Sequence, residues 1–252
     1  ASGILGTIRK KLSGGFGGEF KEVIIGGAPL NPEVEEFFHR IGFKFTIGYG
    51  MTECAPLISY SPWEEFKLTS VGKILPGMEV KILSKDPYTE VGEIMVRGEH
   101  VMMGYYKNEE ATKLVLESEG WMHTGDMGTI DADGHIYIRG RNKSMLLSAS
   151  GQNIYPEEIE AKLNNMPFVM ESLIIENADN KLVAFIYPDY DAVDEAKISE
   201  EELQLIMDEN RKNLNKMVAS YENVVAVQLY PNEFEKTPKK SIKRYLYTNL
   251  LK

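Results

Sequence analysis

The spacing of apolar residues changes twice along the chain, near residues 65 and 140, and these changes predict three segments of different structure. In the first segment, 1–65, a strand, a helix and a second strand follow one another, which predicts the edge of a parallel sheet. Asn31 is expected to cap the helix, and Pro32 lies in its first turn. The two strands and the helix are expected at 22–25, 44–47 and 33–41.

The second and third segments differ in how their elements alternate. Residues 66–140 are dominated by short strands with alternating apolar residues, which predicts a mostly antiparallel, barrel-like subdomain. Residues 141–252 mix strands and helices, which predicts a compact α+β unit with a hairpin arm at 145–150 and, at 189–202, a solvated loop and the start of a helix. The predicted fold class is therefore α/β and α+β. Strands are expected at 79–83, 92–97, 134–138, 172–175, 182–187 and 224–229, and helices at 156–163 and 198–217.

Charge and cysteine content exclude several classes of protein. The net charge of -10 provides no basic field that would attract nucleic acid. No run of about 18 apolar residues is present, so no membrane-spanning segment is expected. Cys54 is the single cysteine, which excludes an intrachain disulfide and favours the cytoplasm as the compartment. A packing role for Cys54 is favoured over a nucleophilic one.

Four separated segments carry residues suited to nucleotide chemistry: 26–29, 48–53, 121–128 and 140–144. The first, GGAP, follows a strand, and its small residues let a planar ring or a backbone approach closely. The second, GYGMTE, supplies an aromatic ring, a hydroxyl and a carboxylate, which suits base stacking, a phosphate contact and Mg²⁺ binding. Taken alone, the first is equally typical of a tight turn, and the second of a structural tyrosine and a solvated glutamate.

The other two segments are also ambiguous by themselves. Asp126 lies between glycines, and its carboxylate could accept hydrogen bonds from two ribose hydroxyls, although such a residue is usually part of a turn. Arg141 lies where the third segment begins and could bind nucleotide, while the residues after it could act as a hinge. A basic linker is the ordinary alternative. The four histidines lack metal-ligand spacing and are expected to be structural.

In order, the motifs GGAP, YGMTE, WMHTGDMG, GRNK and SASGQNIYPEEIE resemble the acyl-adenylate-forming superfamily of acyl-CoA synthetases, luciferases and adenylation domains. The resemblance extends from residue 22 to 244. The sequences at 54–60 and 234–238 are most similar to bacterial long-chain fatty acid–CoA ligases. The resemblance implies that 1–140 is the C-terminal part of the large domain, with the sheet edge at 1–65, and that 141–252 is a mobile lid domain.

The resemblance also implies a reaction in two halves with ATP, a fatty acid and CoA as substrates. A carboxylate attacks the α-phosphate of ATP to give acyl-AMP and pyrophosphate, and the CoA thiol then displaces AMP. No nucleic acid partner is expected, and peripheral contact with a membrane is possible. The implied nucleotide-binding residues are Gly27, Ala28, Pro29, Tyr49, Gly50, Asp126 and Arg141. The remaining implied roles are α-phosphate contact for Thr52, Mg²⁺ binding for Glu53, the hinge for Lys143 and CoA binding for Gly151.

Two departures from the family pattern bear on activity. The loop rich in Ser, Thr and Gly that embraces the β- and γ-phosphates is missing, so we expect a C-terminal part of a longer ligase that forms no acyl-CoA by itself. Ser241 stands where the family has its catalytic lysine. Lys240 is the favoured replacement, because its stem could reach the same point, whereas strand alternation favours Lys239 or Lys243. All three lysines could also be surface residues.

Two other functions remain open from the sequence. The missing loop and Ser241 would both suit a non-catalytic binding protein that keeps the fold. Within the enzymes, a medium-chain or luciferase-like acyl ligase is the nearest alternative.

Overall fold

The computed structural model describes residues 2–238 and 240–251. Contacts between residues divide the chain into two compact units, Ala1–Arg139 and Gly140–Lys252. In the described part of the first unit the helices are α1 Ser2–Gly15, α2 Pro32–Ile41 and α3 Glu109–Val115. Its strands are β1 Val23–Ile25, β2 Phe45–Ile47, β3 Tyr49–Gly50, β4 Leu57–Tyr60, β5 Lys73–Ile74, β6 Met78–Leu83, β7 Gly92–Gly98, β8 Met122–Ile130 and β9 Ile136–Arg141, the last of which continues into the second unit.

The second unit begins with a short antiparallel hairpin and continues as helices and a three-stranded sheet. Its strands, over the described residues, are β10 Leu146–Leu147, β11 Asn153–Ile154, β12 Val169–Glu176, β13 Leu182–Pro188 and β14 Val224–Leu229. Its helices are α4 Pro156–Leu163, α5 Tyr190–Ala196 and α6 Glu200–Asn215. Both units mix helices and sheets, which confirms the predicted α/β and α+β class.

The segment from β1 to β2 folds as the sequence predicts. Strands β1 and β2 are parallel, with Val23 opposite Phe45. The Asn31 side chain accepts a hydrogen bond from the amide of Glu33, and this contact satisfies a donor at the start of α2. Aromatic and aliphatic side chains from α2, β2 and the intervening loop form one core, so the helix is fixed against the strand pair.

Two antiparallel sheets follow, with strand orders β3-β4-β5 and β6-β7-β8-β9. Their outer strands β5 and β9 meet through a bridge between Lys73 and His135. The amide of Val71 also donates to the carbonyl of Ile136, and the amide of Ile136 donates to the carbonyl of Gly72. A buried cluster that includes Ile58, Ile94 and Ile136 fills the space between the sheets. The sheets therefore join edge to edge around one core.

In the second unit, the sheet β12-β13-β14 is covered on both faces. Alternate residues of a strand point to opposite faces, and on β12 Ile174 packs against the helices while Leu173 and Ile175 face the other way. The second face is covered by Phe234 and Tyr247 from the chain after β14. The C-terminal segment is therefore part of the core.

Three local features differ from what the sequence predicts. The loop expected within 189–202 contains helix α5, because Asp189 caps it by accepting a hydrogen bond from the amide of Ala192. Helix α1 has no counterpart among the predicted elements, and its end overlaps the Gly-rich stretch that starts at residue 13. The segment around Asp126 belongs to strand β8, since β7 pairs with it. Over the described residues, no helix has the length and apolar character needed to cross a membrane.

Candidate functional site

The segment GGAP lies at the carboxyl end of β1, beside the carboxyl end of β2. The amide of Gly48 donates to the carbonyl of Ile25 at 2.9 Å. A Cβ atom on Gly26 would lie 3.1 Å from the carbonyl oxygen of Gly48, so a side chain here would push the two backbones apart by a few tenths of an ångström and glycine avoids this. Gly27, Ala28 and Pro29 are exposed, and Gly27 has a φ of +87°. The parallel pairing of β1 and β2 thus brings the first two motifs together.

The second and third motifs meet through one buried hydrogen bond. The hydroxyl of Tyr49 donates to Oδ2 of Asp126 at 2.7 Å, across 77 positions of sequence. The Tyr49 residue is 7% exposed and Asp126 is 5% exposed. Burial, reinforced by the Asp126 carboxylate, raises the pKa of Tyr49 far above its usual range, so the phenol remains a donor. The bond fixes the tyrosine ring relative to the carboxylate predicted to hold ribose.

We expect Tyr49→Phe to lower the free energy of unfolding of the first unit by about 2 kcal/mol, because a buried bond to a charged acceptor is lost. Both tryptophans, Trp63 and Trp121, lie in this unit, so urea unfolding followed by tryptophan fluorescence reports on it. Tyr88→Phe is the matched control, since Tyr88 is 61% exposed. An equal effect of the two substitutions would mean that the Tyr49–Asp126 bond contributes nothing to stability.

Asp126 is held in place by its neighbours on β7 and β8. Its amide donates to Oγ1 of Thr124 at 3.1 Å. Glu93 of β7 accepts from the amide of Gly125 at 3.0 Å and contacts Nδ1 of His123 at 2.8 Å. The hydrogen bond to Glu93 is the main cause that raises the pKa of His123 above its usual value. Glu93 could not be identified from the sequence, since a glutamate at an alternating position of a strand carries no functional signal.

Glu53, the predicted Mg²⁺ ligand, lies in a turn of 3₁₀ helix, Thr52–Cys54, just after β3. Its Oε1 accepts a hydrogen bond from the hydroxyl of Tyr105 at 2.9 Å. Among the described residues, Oε2 has no hydrogen-bond partner, and the side chain is half-buried. A carboxylate oxygen oriented by a tyrosine is the donor type that Mg²⁺ prefers, so Glu53 fits the ion. Thr52 beside it is exposed and open to a phosphate.

Gly50 lies where β3 approaches the turn before β4. A Cβ atom at this position would lie 2.0 Å from the carbonyl oxygen of Pro56 and 3.0 Å from Cα of Leu57. Neither backbone can withdraw easily, because the amide of Met51 donates to the same Pro56 carbonyl at 2.8 Å. Glycine at residue 50 therefore allows the turn that carries Thr52 and Glu53 to close.

The remaining predicted site residues belong to the second unit. Arg141 ends β9, and its carbonyl accepts a hydrogen bond from the amide of Met145 at 3.0 Å. Lys143 is exposed within a turn of 3₁₀ helix, Asn142–Ser144. Gly151 is exposed in the turn between β10 and β11 with a φ of +85°, and no described atom lies within 4 Å of the position of a Cβ. The hairpin therefore leaves room for a ligand close to this backbone.

Lys240 lies in a tight turn of the C-terminal segment. Its amide donates to the carbonyl of Thr237 at 2.9 Å, and its φ is +65°. The turn is closed by a bridge between Lys236 and Ile242, and the alternation that favours Lys239 or Lys243 stays a prediction. The Nζ atom of Lys243 pairs with Glu235 at 3.2 Å, whereas Lys240 is exposed. Lys239 lies outside the described residues.

One further group of possible metal ligands occurs in the first unit. Ligand atoms of Asp131, Asp133 and His135 lie within 4.8 Å of one another. The ammonium group of Lys67 contacts Asp131 at 2.7 Å and Asp133 at 2.5 Å. Lys67 thus balances the charge of both carboxylates at the turn before β9.

Comparison with known proteins identifies the family. The family model of the AMP-binding enzymes matches residues 6–106, and that of the AMP-binding enzyme C-terminal domain matches residues 143–251. A long-chain-fatty-acid–CoA ligase of Mus musculus, ACSBG1, is 36% identical over 68% of this chain and 23% of its own length. The corresponding ligase FadD15 of Mycobacterium bovis is 29% identical over 94% of this chain and 42% of its own length.

A solved structure agrees with these relatives. The O-succinylbenzoate coenzyme A synthetase of Bacillus subtilis, in complex with AMP, superimposes with a TM-score of 0.74 and is 25% identical over 95% of this chain and 50% of its own. The chain thus spans at most about half the length of these proteins. The matched regions carry the motifs GGAP, YGMTE and SASGQNIYPEEIE, whereas WMHTGDMG and most of GRNK lie between them. With a relative 36% identical over 68% of its length, the chain belongs to the AMP-binding, adenylate-forming enzymes.

Proposed function

We propose that the chain supplies the adenine, ribose and α-phosphate contacts of an ATP-dependent long-chain fatty acid–CoA ligase. The observation that supports this proposal most is the hydrogen bond between Tyr49 and Asp126, which joins two motifs beside a third at the end of β1. The relatives named above are fatty acid–CoA ligases, which favours a long-chain acid as the substrate. The phosphate loop and most of the acid pocket would come from residues outside this sequence, so we propose that the chain alone forms no acyl-CoA.

In this proposal, each predicted site residue of the first unit contacts one part of the nucleotide. Gly27, Ala28 and Pro29 border the adenine, and Tyr49, with Gly50 after it, lines the opposite side. Two ribose hydroxyls donate to the carboxylate of Asp126. Thr52 donates to the α-phosphate. Glu53 would hold Mg²⁺, which screens the phosphate charges when it is bound.

The second unit, in this proposal, serves both half-reactions. Arg141 contacts the ribose, and Lys143 is the hinge about which the unit turns between them. Lys240 places an ammonium group on the charge that develops between the carboxylate and the α-phosphate. Gly151 lets the pantetheine arm of CoA pass close to the backbone.

The test is calorimetric titration of the purified chain with AMP, beside Asp126→Asn and the matched control Asp179→Asn, an exposed residue of the second unit. We expect Asp126→Asn to weaken AMP binding by about 10- to 100-fold, since a hydrogen bond to a charged group contributes about 1.5–3 kcal/mol. Asp179→Asn should bind AMP as the unchanged chain does. Equal affinity of all three proteins, or failure of the unchanged chain to bind AMP, would contradict the proposal.

A further inference from the structure

An arginine enters the interior of the second unit immediately after the turn that carries Lys240. Nη1 of Arg244 donates to the carbonyl of Ile174 at 3.1 Å, and Nη2 donates to Oε2 of Glu160. Its Nε lies 3.5 Å from Glu157. The guanidinium group therefore binds strand β12 and two carboxylates of helix α4 at once.

Glu160 is the buried partner in this arrangement. The residue is 8% exposed, and its Oε1 accepts a hydrogen bond from the amide of Ile174 at 2.6 Å. A buried ion pair contributes little net stability, because the cost of removing two charges from water offsets their attraction. Such a pair instead favours one geometry, since the planar guanidinium group must meet the carboxylate in a fixed orientation.

The segment held by this pair is 236–243, the turn that carries Lys240, which the structure describes at 236–238 and 240–243. Its last amide, that of Lys243, donates to the carbonyl of Glu235 at 2.8 Å, and Arg244 follows directly. At the other end, Lys236 forms an ion pair with Glu171 of β12. Side chains at both ends of the turn thus contact the same strand, and of these contacts only that of Arg244 extends to the buried Glu160.

We propose that Arg244 is a positioning residue: its pair with Glu160 fixes the segment 236–243 and thereby the place of the Lys240 ammonium group. The role of Lys240 rests on the proposed function, whereas the ordering of the segment does not. Arg244 contacts no reacting atom in this proposal. It acts through the backbone of the turn.

The charge of Glu160 changes near neutral pH, which makes the pair testable without any substitution. Burial raises the pKa of Glu160 from 4.5 to about 7, against the opposing effect of Arg244. The groups that face this carboxyl are Arg244 from the C-terminal segment, Glu157 on its own helix and the amide of Ile174 on β12. Above its pKa the carboxylate pairs with Arg244, and below it the pair loses one of its two charges.

The experiment is an NMR titration of the ¹⁵N-labelled full chain between about pH 5.5 and 8.5, a range centred on the Glu160 transition. The amide of Ile174 reports the charge of Glu160, and the amides of Thr237 and Ser241 report the turn, because they donate to Ser241 and Thr237 respectively. We expect all three signals to shift with one midpoint near 7, and Glu160→Gln to abolish that midpoint. If Ile174 titrates and the turn does not, or if the turn titrates unchanged in Glu160→Gln, the proposal is overturned.

Amide hydrogen exchange supplies the second readout. We expect Arg244→Gln to accelerate exchange at Thr237 by about 10-fold or more beyond any acceleration at Ala184 in the core strand β13, and Arg244→Lys to fall between. Arg97→Gln is the control, because Arg97 pairs with the exposed Glu79 in the first unit. Equal acceleration at Thr237 and Ala184 would show that Arg244 stabilises the whole unit rather than the turn, and would overturn the proposal. If Arg244→Gln does not fold, the pH titration of the unchanged chain still tests whether the turn follows the charge of Glu160.

These measurements contain no nucleotide, so they are independent of the calorimetric test. A turn that follows the charge of Glu160 in a chain that does not bind AMP would refute the proposed function and keep the positioning role. A chain that binds AMP, but whose turn signals do not follow the charge of Glu160, would keep the proposed function and refute the positioning role of Arg244.

Discussion

Gly50→Ala is expected to lower the free energy of unfolding of the first unit by about 3 kcal/mol or more, because a backbone clash exceeds the usual cost of overpacking. The added methyl carbon would lie 2.0 Å from the Pro56 carbonyl oxygen, well inside van der Waals contact. Relief requires β3 and the backbone at 56–57 to move apart, which would open the turn between them. The change would therefore also displace Thr52 and Glu53 and weaken AMP binding.

The measurement is urea unfolding followed by tryptophan fluorescence, with Gly6→Ala as the matched control. Both substitutions restrict the unfolded chain to the same extent. Gly6 lies in helix α1, where no described atom comes within 4 Å of the added carbon. Gly6→Ala should be neutral or stabilise by up to about 1 kcal/mol. Similar stability of the two variants would show that the β3–β4 turn tolerates a side chain.

The second large effect is a fall in the stability of the second unit as the pH rises from about 4.5 to 7. In the unfolded chain Glu160 loses its proton near pH 4.5, whereas in the folded chain burial holds the proton until about 7. Between these values the folded state binds more protons, so the free energy of unfolding falls with pH, by about 3 kcal/mol for this single group. About one pH unit above 7 the Glu160 carboxyl is ionised in both states, and its contribution no longer changes.

Native-state amide exchange at Ala184, converted to free energies of opening at each pH, measures how the stability of the second unit changes with pH. Glu160→Gln should remove the fall in stability between about pH 4.5 and 7, because glutamine does not titrate. Glu201→Gln on the exposed face of α6 should leave it unchanged. If the stability of Glu160→Gln and of the unchanged chain falls equally with pH, other groups cause the pH dependence. The pair with Arg244 thus orders the C-terminal turn at a pH where the unit as a whole is less stable.

Elements with local start signals could be predicted from the sequence. Asn31 and Pro32 mark the start of α2, and Pro156 marks the start of α4, because caps and first-turn prolines act within a few residues. Strand β8 could not be predicted, since its polar residues and glycines read as a turn and only pairing with β7 makes it a strand. Helix α1 contains four glycines, which mask its pattern.

The candidate site divides in the same way. The motifs, and their assignment to strand ends, could be predicted from residue type and order. Their geometry could not, because Tyr49 and Asp126 are 77 positions apart and meet only when the sheets have formed. Glu93 and Tyr105 orient predicted residues but carry no signal of their own. The contact of Arg244 could not be predicted either, since its partner Glu160 is 84 positions away.

The junction between β5 and β9 has a consequence for solubility. A strand at the edge of a sheet exposes unpaired amides and carbonyls, which can recruit strands of other molecules into aggregates. Here the outer strand of each sheet covers the other through the bonds of Val71, Gly72 and Ile136. Strand β6, at the opposite edge, carries Glu79 and Lys81, and charged side chains at an edge oppose such recruitment. The fold of the first unit thereby limits intermolecular sheet growth.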